Sequence, residues 1–163
     1  MKRLIIVAMV LFLTFSSMCC SKNDQASQKK ATEQVISQNN AKINQSVKEF
    51  SEKYDAVELT DNEDCLQIGK VLVLDDILVY KTVGDIIIGF AKATGYRGRY
   101  KFLMKTDKNQ LYAIKHVKTS QTIVYVVKVN NHKYSSENEI EIAPPVINSE
   151  LIDYKIIDLI PLP

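Results

Sequence analysis

The sequence has 163 residues, of which 46% are hydrophobic and 25% charged, and a formal net charge of +2. A chain of this size can bury one core rather than two, and so balanced a charge exerts no long-range pull on nucleic acid. Tryptophan is absent, glycine and proline are scarce, and isoleucine, valine, leucine and tyrosine abound; that mixture suits a β-rich globular domain rather than a disordered chain.

Met1, Lys2 and Arg3 supply a positive start, and Leu4 to Phe15 is apolar except for Thr14. Ser16, Ser17, Met18, Cys19 and Cys20 follow, and polar residues begin at Ser21. A short apolar run between a basic start and small residues reads as an export signal. It falls short of the roughly 20 apolar residues that a membrane-spanning helix needs. Residues 1–19 are therefore expected to be a signal peptide, and the rest of the chain is expected outside the cytoplasm.

The cysteines that end this run resemble the lipobox of bacterial lipoproteins, in which a cysteine becomes the mature N-terminus and carries acyl chains. The resemblance covers residues 1 to about 21. The family favours leucine three residues before the cysteine and a small residue just before it. Those positions hold Ser17 and Cys19 for Cys20, and Ser16 and Met18 for Cys19. The smaller neighbour selects Cys20 as the site of lipid (palmitate) attachment, with Cys19 as the alternative. Each buried CH₂ contributes about 0.8 kcal/mol, so several chains make a lasting anchor. A soluble secreted domain and an uncleaved anchor are the other products such a signal can give. Ser21 in second place is not the aspartate linked with inner-membrane retention in enteric bacteria. The resemblance thus implies the cell envelope, and the outer membrane where there is one, with the domain facing the periplasm or exterior. Loss of residues 1–19 removes Lys2 and Arg3 and no acid, leaving 19 basic and 19 acidic side chains.

Cys65 has three readings. With Cys20 acylated it has no partner and serves as a small buried hydrophobe. With Cys19 acylated, Cys20 and Cys65 can pair. A reactive thiol is the third.

Residues 20–32 are polar and are expected to form a flexible tether, followed by a single α+β domain over 33–163. Ile36, Ile43, Val47, Phe50 and Tyr54 recur at helical spacing and predict an amphipathic helix over about 31–54. Its narrow stripe suits packing on the domain's own sheet, or a partner helix. Asp61 to Asp64 reads as a turn. Leu66 to Leu74 and Ile77 to Lys81 read as two strands of a hairpin about Asp75 and Asp76. Residues 82–95 are ambiguous. Val83, Ile86, Ile87, Phe90 and Ala91 have helical spacing and Gly95 is a natural stop, which favours a short helix at about 83–94; three consecutive isoleucines favour a strand.

From Tyr96 the pattern is that of strands. Tyr100, Phe102 and Met104 alternate with Lys101 and Lys105, Asp107 to Asn109 turns the chain, and Leu111 to Val117 reads as a second strand. Thr119 to Gln121 turns again, and Ile123 to Val129 is a third strand. Connections this short predict an antiparallel meander. Asn130 to Lys133 reads as a turn, Glu139 to Ile142 as a short strand before Pro144 and Pro145, and Ile152 to Ile157 as a final edge strand. The expected fold is α+β, with the amphipathic helix packed on an antiparallel β-meander sheet.

The chemistry-bearing residues are sparse. His116 and His132 have no ligand-like spacing, and the acidic turn at 61–64 lacks the glycine and distal glutamate of a calcium loop; no metal or cofactor is expected. There is no nucleophile elbow, Gly95 and Gly98 match no phosphate-binding motif, and adjacent Asp75 and Asp76 point apart on a strand. The one distinctive patch is Tyr96, Arg97, Arg99, Tyr100, Lys101 and Lys105, with Lys108, Lys115 and Lys118 nearby. Alternation sets Arg97, Arg99, Lys101 and Lys105 on one face, where positive charge beside tyrosine can grip phosphate, carboxylate or a sugar-acid polymer. The plainer reading is a solvated face whose lysines guard against edge pairing.

The expectation is a lipid-anchored, non-catalytic binding or assembly module. It would meet the membrane through its anchor and an envelope protein or anionic polymer through the patch or the helix. The alternative is an inhibitor, immunity or exclusion lipoprotein that blocks a toxin or wall hydrolase. A small hydrolase would need Cys65 or a histidine at the floor of a cleft.

Overall fold

The structure, a computed structural model, describes residues 21–95, 98–133 and 145–163. The helix α1 runs over Ser21–Tyr54. It starts well before residue 31, so residues 21–32, expected as a tether, are helical. The chain divides into two compact units: Met1–Asn39 with Ile160–Pro163, and Asn40–Leu159. In the first, the Asn39 side chain donates to the Ile160 carbonyl at 3.0 Å and accepts from the Ile160 N–H at 2.8 Å. Ile36 in that unit is exposed.

The second unit holds the rest of α1 and a seven-stranded sheet. Its strands are β1 (Val57–Glu58), β2 (Val71–Leu74), β3 (Ile77–Val83), β4 (Ile86–Lys92), β5 (Arg99–Lys105), β6 (Gln121–Lys133) and β7 (Val146–Asp158). A second helix, α2 (Lys108–Lys115), joins β5 to β6. The spatial order is β1-β2-β6-β7-β5-β4-β3. The pairs β1–β2 and β5–β7 are parallel and the others antiparallel. The α+β class stands, but the sheet is mixed rather than a pure meander.

Several local expectations are overturned. No β2–β3 hairpin forms: β2 pairs with β1 and β6, while β3 lies at the far end of the sheet against β4. Leu72, Val73 and Leu74 are buried on both faces, as an interior strand requires, whereas β3 is largely exposed. The helix expected at 83–94 is instead β4 and its turn. Val83 pairs with Ile86 across Gly84 and Asp85, and Gly84 has φ +61°, a conformation that glycine adopts without steric cost. Once that turn is made, the β-branched run Ile86 to Ile88 favours a strand.

The strand expected over Leu111 to Val117 is α2. Asp107 accepts from the N–H groups of Asn109 and Gln110 at 2.7 and 2.8 Å, and the Gln110 side chain accepts from the Asp107 N–H at 3.0 Å. This reciprocal capping satisfies first-turn donors that would otherwise lack partners. The turn expected at 130–133 lies within β6. The expected final strand is the second half of a longer β7: Val146–Glu150 lie between β6 and β5, whereas Asp153–Ile157 pair with β6 alone, as an edge segment does. The short strand expected at 139–142 lies outside the described residues.

Alternation along the strands builds two buried clusters. The inner one gathers Leu72, Leu74, Ile87, Tyr100, Phe102, Met104, Tyr125, Val127 and Ile147, closed over by Ile114 of α2 and by Leu59 and Leu66. The other lies under α1. There Phe50, with Ile43, Val47 and Tyr54 packed around it, meets Val73, Val124, Val126 and Ile157. The helical stripe thus covers the domain's own sheet. A bulge assists this docking. The β6–β7 register skips Ile152, so Leu151 joins the inner cluster while Asp153, Lys155 and Ile157 turn towards α1.

Polar contacts then fix the helix. Lys155 Nζ reaches Glu49 Oε2 at 2.6 Å, and Asp153 Oδ2 accepts from Lys53 at 3.0 Å and from the Tyr54 hydroxyl at 2.6 Å. Partial burial pushes the Asp153 carboxyl pKa up, but the bonds from Tyr54, Lys53 and the Tyr154 N–H outweigh it and hold it below the ordinary value. Beyond β4, Thr94 bridges Thr60 in parallel. The Thr94 N–H donates to Leu59 at 3.0 Å, and the Asp61 N–H donates to Thr94 at 3.1 Å. The sheet therefore curls until the chain after β1 meets the chain after β4.

A candidate interaction face

One side of β3, β4 and β5 lies outside both buried clusters. Pairing sets its members by register, because partners across an antiparallel ladder share a face. Leu78 stands opposite Phe90, Lys81 opposite Ile88, and Val83 opposite Ile86. Across β4 and β5, Ile86 faces Lys105, Ile88 faces Leu103, Phe90 faces Lys101 and Lys92 faces Arg99. Their alternating neighbours Ile87, Ala91, Tyr100, Phe102 and Met104 all point into the inner cluster. The outer face is thus a band of apolar side chains interleaved with five cations.

Exposure confirms that the band is uncovered at its β3 side. Leu78 is 61% exposed, Tyr80 68% and Val83 55%. Ile86, Ile88, Phe90 and Leu103 are half-buried, and Lys81, Lys92 and Lys105 are exposed. Tyr80 sits at an irregularity where the β3–β4 register shifts. Its ring meets Phe90 edge-on at 6.2 Å, and Lys81 Nζ lies 5.6 Å from its centroid. Large exposed apolar patches rimmed by polar residues mark binding surfaces in soluble domains.

The acids nearby are few. Arg99 Nη2 lies 3.3 Å from Asp76 Oδ2, and its Nη1 donates to the Phe90 carbonyl at 3.2 Å. Glu150 of β7 stands opposite Lys105, and Asp85 occupies the exposed β3–β4 turn. Lys81, Lys92, Lys101 and Lys105 take part in none of the four salt bridges found among the described residues.

Of the residues singled out from the sequence, Arg99, Lys101 and Lys105 share this face. Tyr100 does not: it is buried on the opposite side. Tyr96 and Arg97, and the lipid-attachment candidates Cys20 and Cys19, lie outside the described residues. Lys108 and Lys115 are on α2, and Lys118 follows it. The sequence reading missed Leu78, Tyr80, Val83, Ile86, Ile88, Phe90 and Leu103 as members of the same surface. Leu103 alone could have been added from the alternation of β5; the others arrive through strand pairing.

The groups considered for catalysis are dispersed. Cys65 is a buried free thiol whose Sγ lies 3.6 Å from the Thr60 carbonyl, which fits its reading as a small core residue. His116 Nδ1 is 2.7 Å from the Tyr112 carbonyl and its ring stacks on Tyr112. A cleft of about 180 Å³ brings Asp75, Asp76, Glu58 and Lys92 to one rim, with both aspartates exposed. A more apolar groove of about 280 Å³ lies between β3 and the start of β6. Tyr125 lines it, and burial pushes its phenol up to about 12. Among the described residues, no three His, Cys, Asp or Glu side chains group to hold a metal ion, and no helix is long and apolar enough to cross a membrane. No family model matches the chain, and no curated protein matches it.

Proposed function

We propose that this protein is a lipid-anchored cell-envelope protein that acts as a non-catalytic binding module. In this reading residues 1–19 direct export, Cys20 carries the lipid, and the outer face of β3, β4 and β5 is the contact surface. The observation that carries it is the coincidence, on one sheet face, of exposed Leu78, Tyr80 and Val83 with Lys81, Lys92, Lys101 and Lys105. Interface centres are rich in aromatic and apolar groups and are ringed by polar ones. Here the apolar groups stand in the middle strand and at the free edge, with cations threaded between them.

Occupancy of that face is directly measurable. Tyr80→Cys places a thiol on it, and Lys48→Cys places one on α1, where the native side chain is 78% exposed. In isolated envelopes, a hydrophilic maleimide should label the α1 thiol fast and the β3 thiol at least tenfold more slowly. After purification in detergent both should label at similar rates. Equal labelling of the two sites in the envelope would mean that the face is bare where the protein works.

A further inference from the structure

We infer that the outer face of β3, β4 and β5 docks onto an anionic phospholipid surface. This inference rests on the anchored reading above and names the occupant of the same face. The charge argument comes first. The chain without its signal has equal numbers of basic and acidic side chains, so a face with five cations reflects local sorting. Of the acids at its border, Asp76 is already paired with Arg99, Glu150 lies beyond Lys105 on the neighbouring strand, and Asp85 sits in the β3–β4 turn at one end, so the cations outnumber the acids. The remaining positive field attracts an anionic headgroup layer.

The apolar residues give the contact depth. Leu78 and Val83 protrude at the free edge, and Tyr80 stands beside them with Lys81 near its ring. A tyrosine has an apolar body and a polar tip, which suits it to the boundary between headgroups and acyl chains. Lysine stems can lie along that boundary while their ammonium groups reach the phosphates. A strand partner is the less favoured occupant of this edge, because the register irregularity at Tyr80 and the charge of Lys81 both interrupt regular edge pairing.

The chain has no tryptophan, so Tyr80→Trp gives a single reporter within the proposed contact. The full chain carrying it is reconstituted with phosphatidylglycerol-containing vesicles and, separately, with pure phosphatidylcholine vesicles. Docking predicts a blue-shifted emission, quenched by brominated acyl chains, on the anionic vesicles only. Adding Lys81→Glu, Lys101→Glu and Lys105→Glu should weaken that response at least tenfold with the melting temperature retained. Raised salt should act in the same direction. Emission typical of a water-exposed indole on anionic vesicles overturns the inference, as does an equal blue shift on both vesicle types. Co-sedimentation in the same tubes separates the two failures. A protein held on vesicles with its indole in water is anchored but undocked, whereas a protein left in the supernatant has lost the anchor as well.

Discussion

Replacing Phe102 by alanine should destabilise the domain by about 3–5 kcal/mol, the usual cost of emptying a buried aromatic site. Phe102 is fully buried in the inner cluster, with Gly89 opposite it on β4 and Ile147 on β7. Neither neighbour can refill the space. Gly89 has no side chain, and a Cβ there would stand 2.7 Å from Ile77 Cγ2 and 3.3 Å from the Leu78 carbonyl oxygen. The glycine is what lets β3 close on β4, and it offers no side chain to fill the space that Phe102 would leave. Equilibrium unfolding in urea should show a lower midpoint at unchanged slope, with a fall in melting temperature of roughly 10 °C or more. A loss below about 1 kcal/mol would mean that the space collapses without cost, which this curled sheet does not allow.

Phe50→Ala should have a comparable cost, about 3 kcal/mol or more, but its signature should be local. Phe50 is the buried centre of the contact between α1 and the sheet, flanked by Val47 and Tyr54 and facing Val73, Val124, Val126 and Ile157. Its loss leaves the partly buried Ile43, Val47 and Tyr54, with the bonds of Glu49 to Lys155 and of Lys53 and Tyr54 to Asp153, to hold the helix. Exposed or half-exposed pairs of this kind contribute little by themselves. Native-state hydrogen exchange should therefore quicken most over residues 43–54, while β4 and β5 keep more of their protection. Uniform acceleration throughout the domain would show that the helix and the inner cluster unfold as one.

The periodic signals were legible, and the pairing was not. The stripe Ile36, Ile43, Val47, Phe50 and Tyr54 stated that a helix exists and which face it buries; the sheet covers that face from Ile43 to Tyr54, while Ile36 is exposed. Alternation in β5 correctly put Arg99, Lys101 and Lys105 together. Tyr100 entered the candidate set through adjacency, although the same alternation sends it inwards. The helix α2 was missed because Asp107 was read as a turn residue, while its reciprocal partner Gln110 stood three positions on. That pairing was present in the sequence and is a recognised start signal. By contrast, nothing local says that β2 seeks β6, or that β5 lies parallel to β7. Those contacts join residues far apart in sequence and depend on burial across the whole sheet. The outer face inherits this limit. Residues 82–95 are ambiguous in the sequence and lean towards a helix, which hides the place of Ile86, Ile88 and Phe90 beside Lys105, Leu103 and Lys101. Only the strand reading, which the three isoleucines already favoured, brings the apolar and cationic halves of the surface together.

The proposed role of that surface rests on the chain being held at a membrane. The intact mass of the protein extracted from membranes, measured beside a Cys20→Ala variant, tests this most directly. The account predicts the mass of residues 20–163 plus acyl chains, and the loss of both processing and membrane retention in the variant. An unacylated mass, unchanged by the substitution, would contradict it and make the protein a secreted domain whose exposed face has soluble targets.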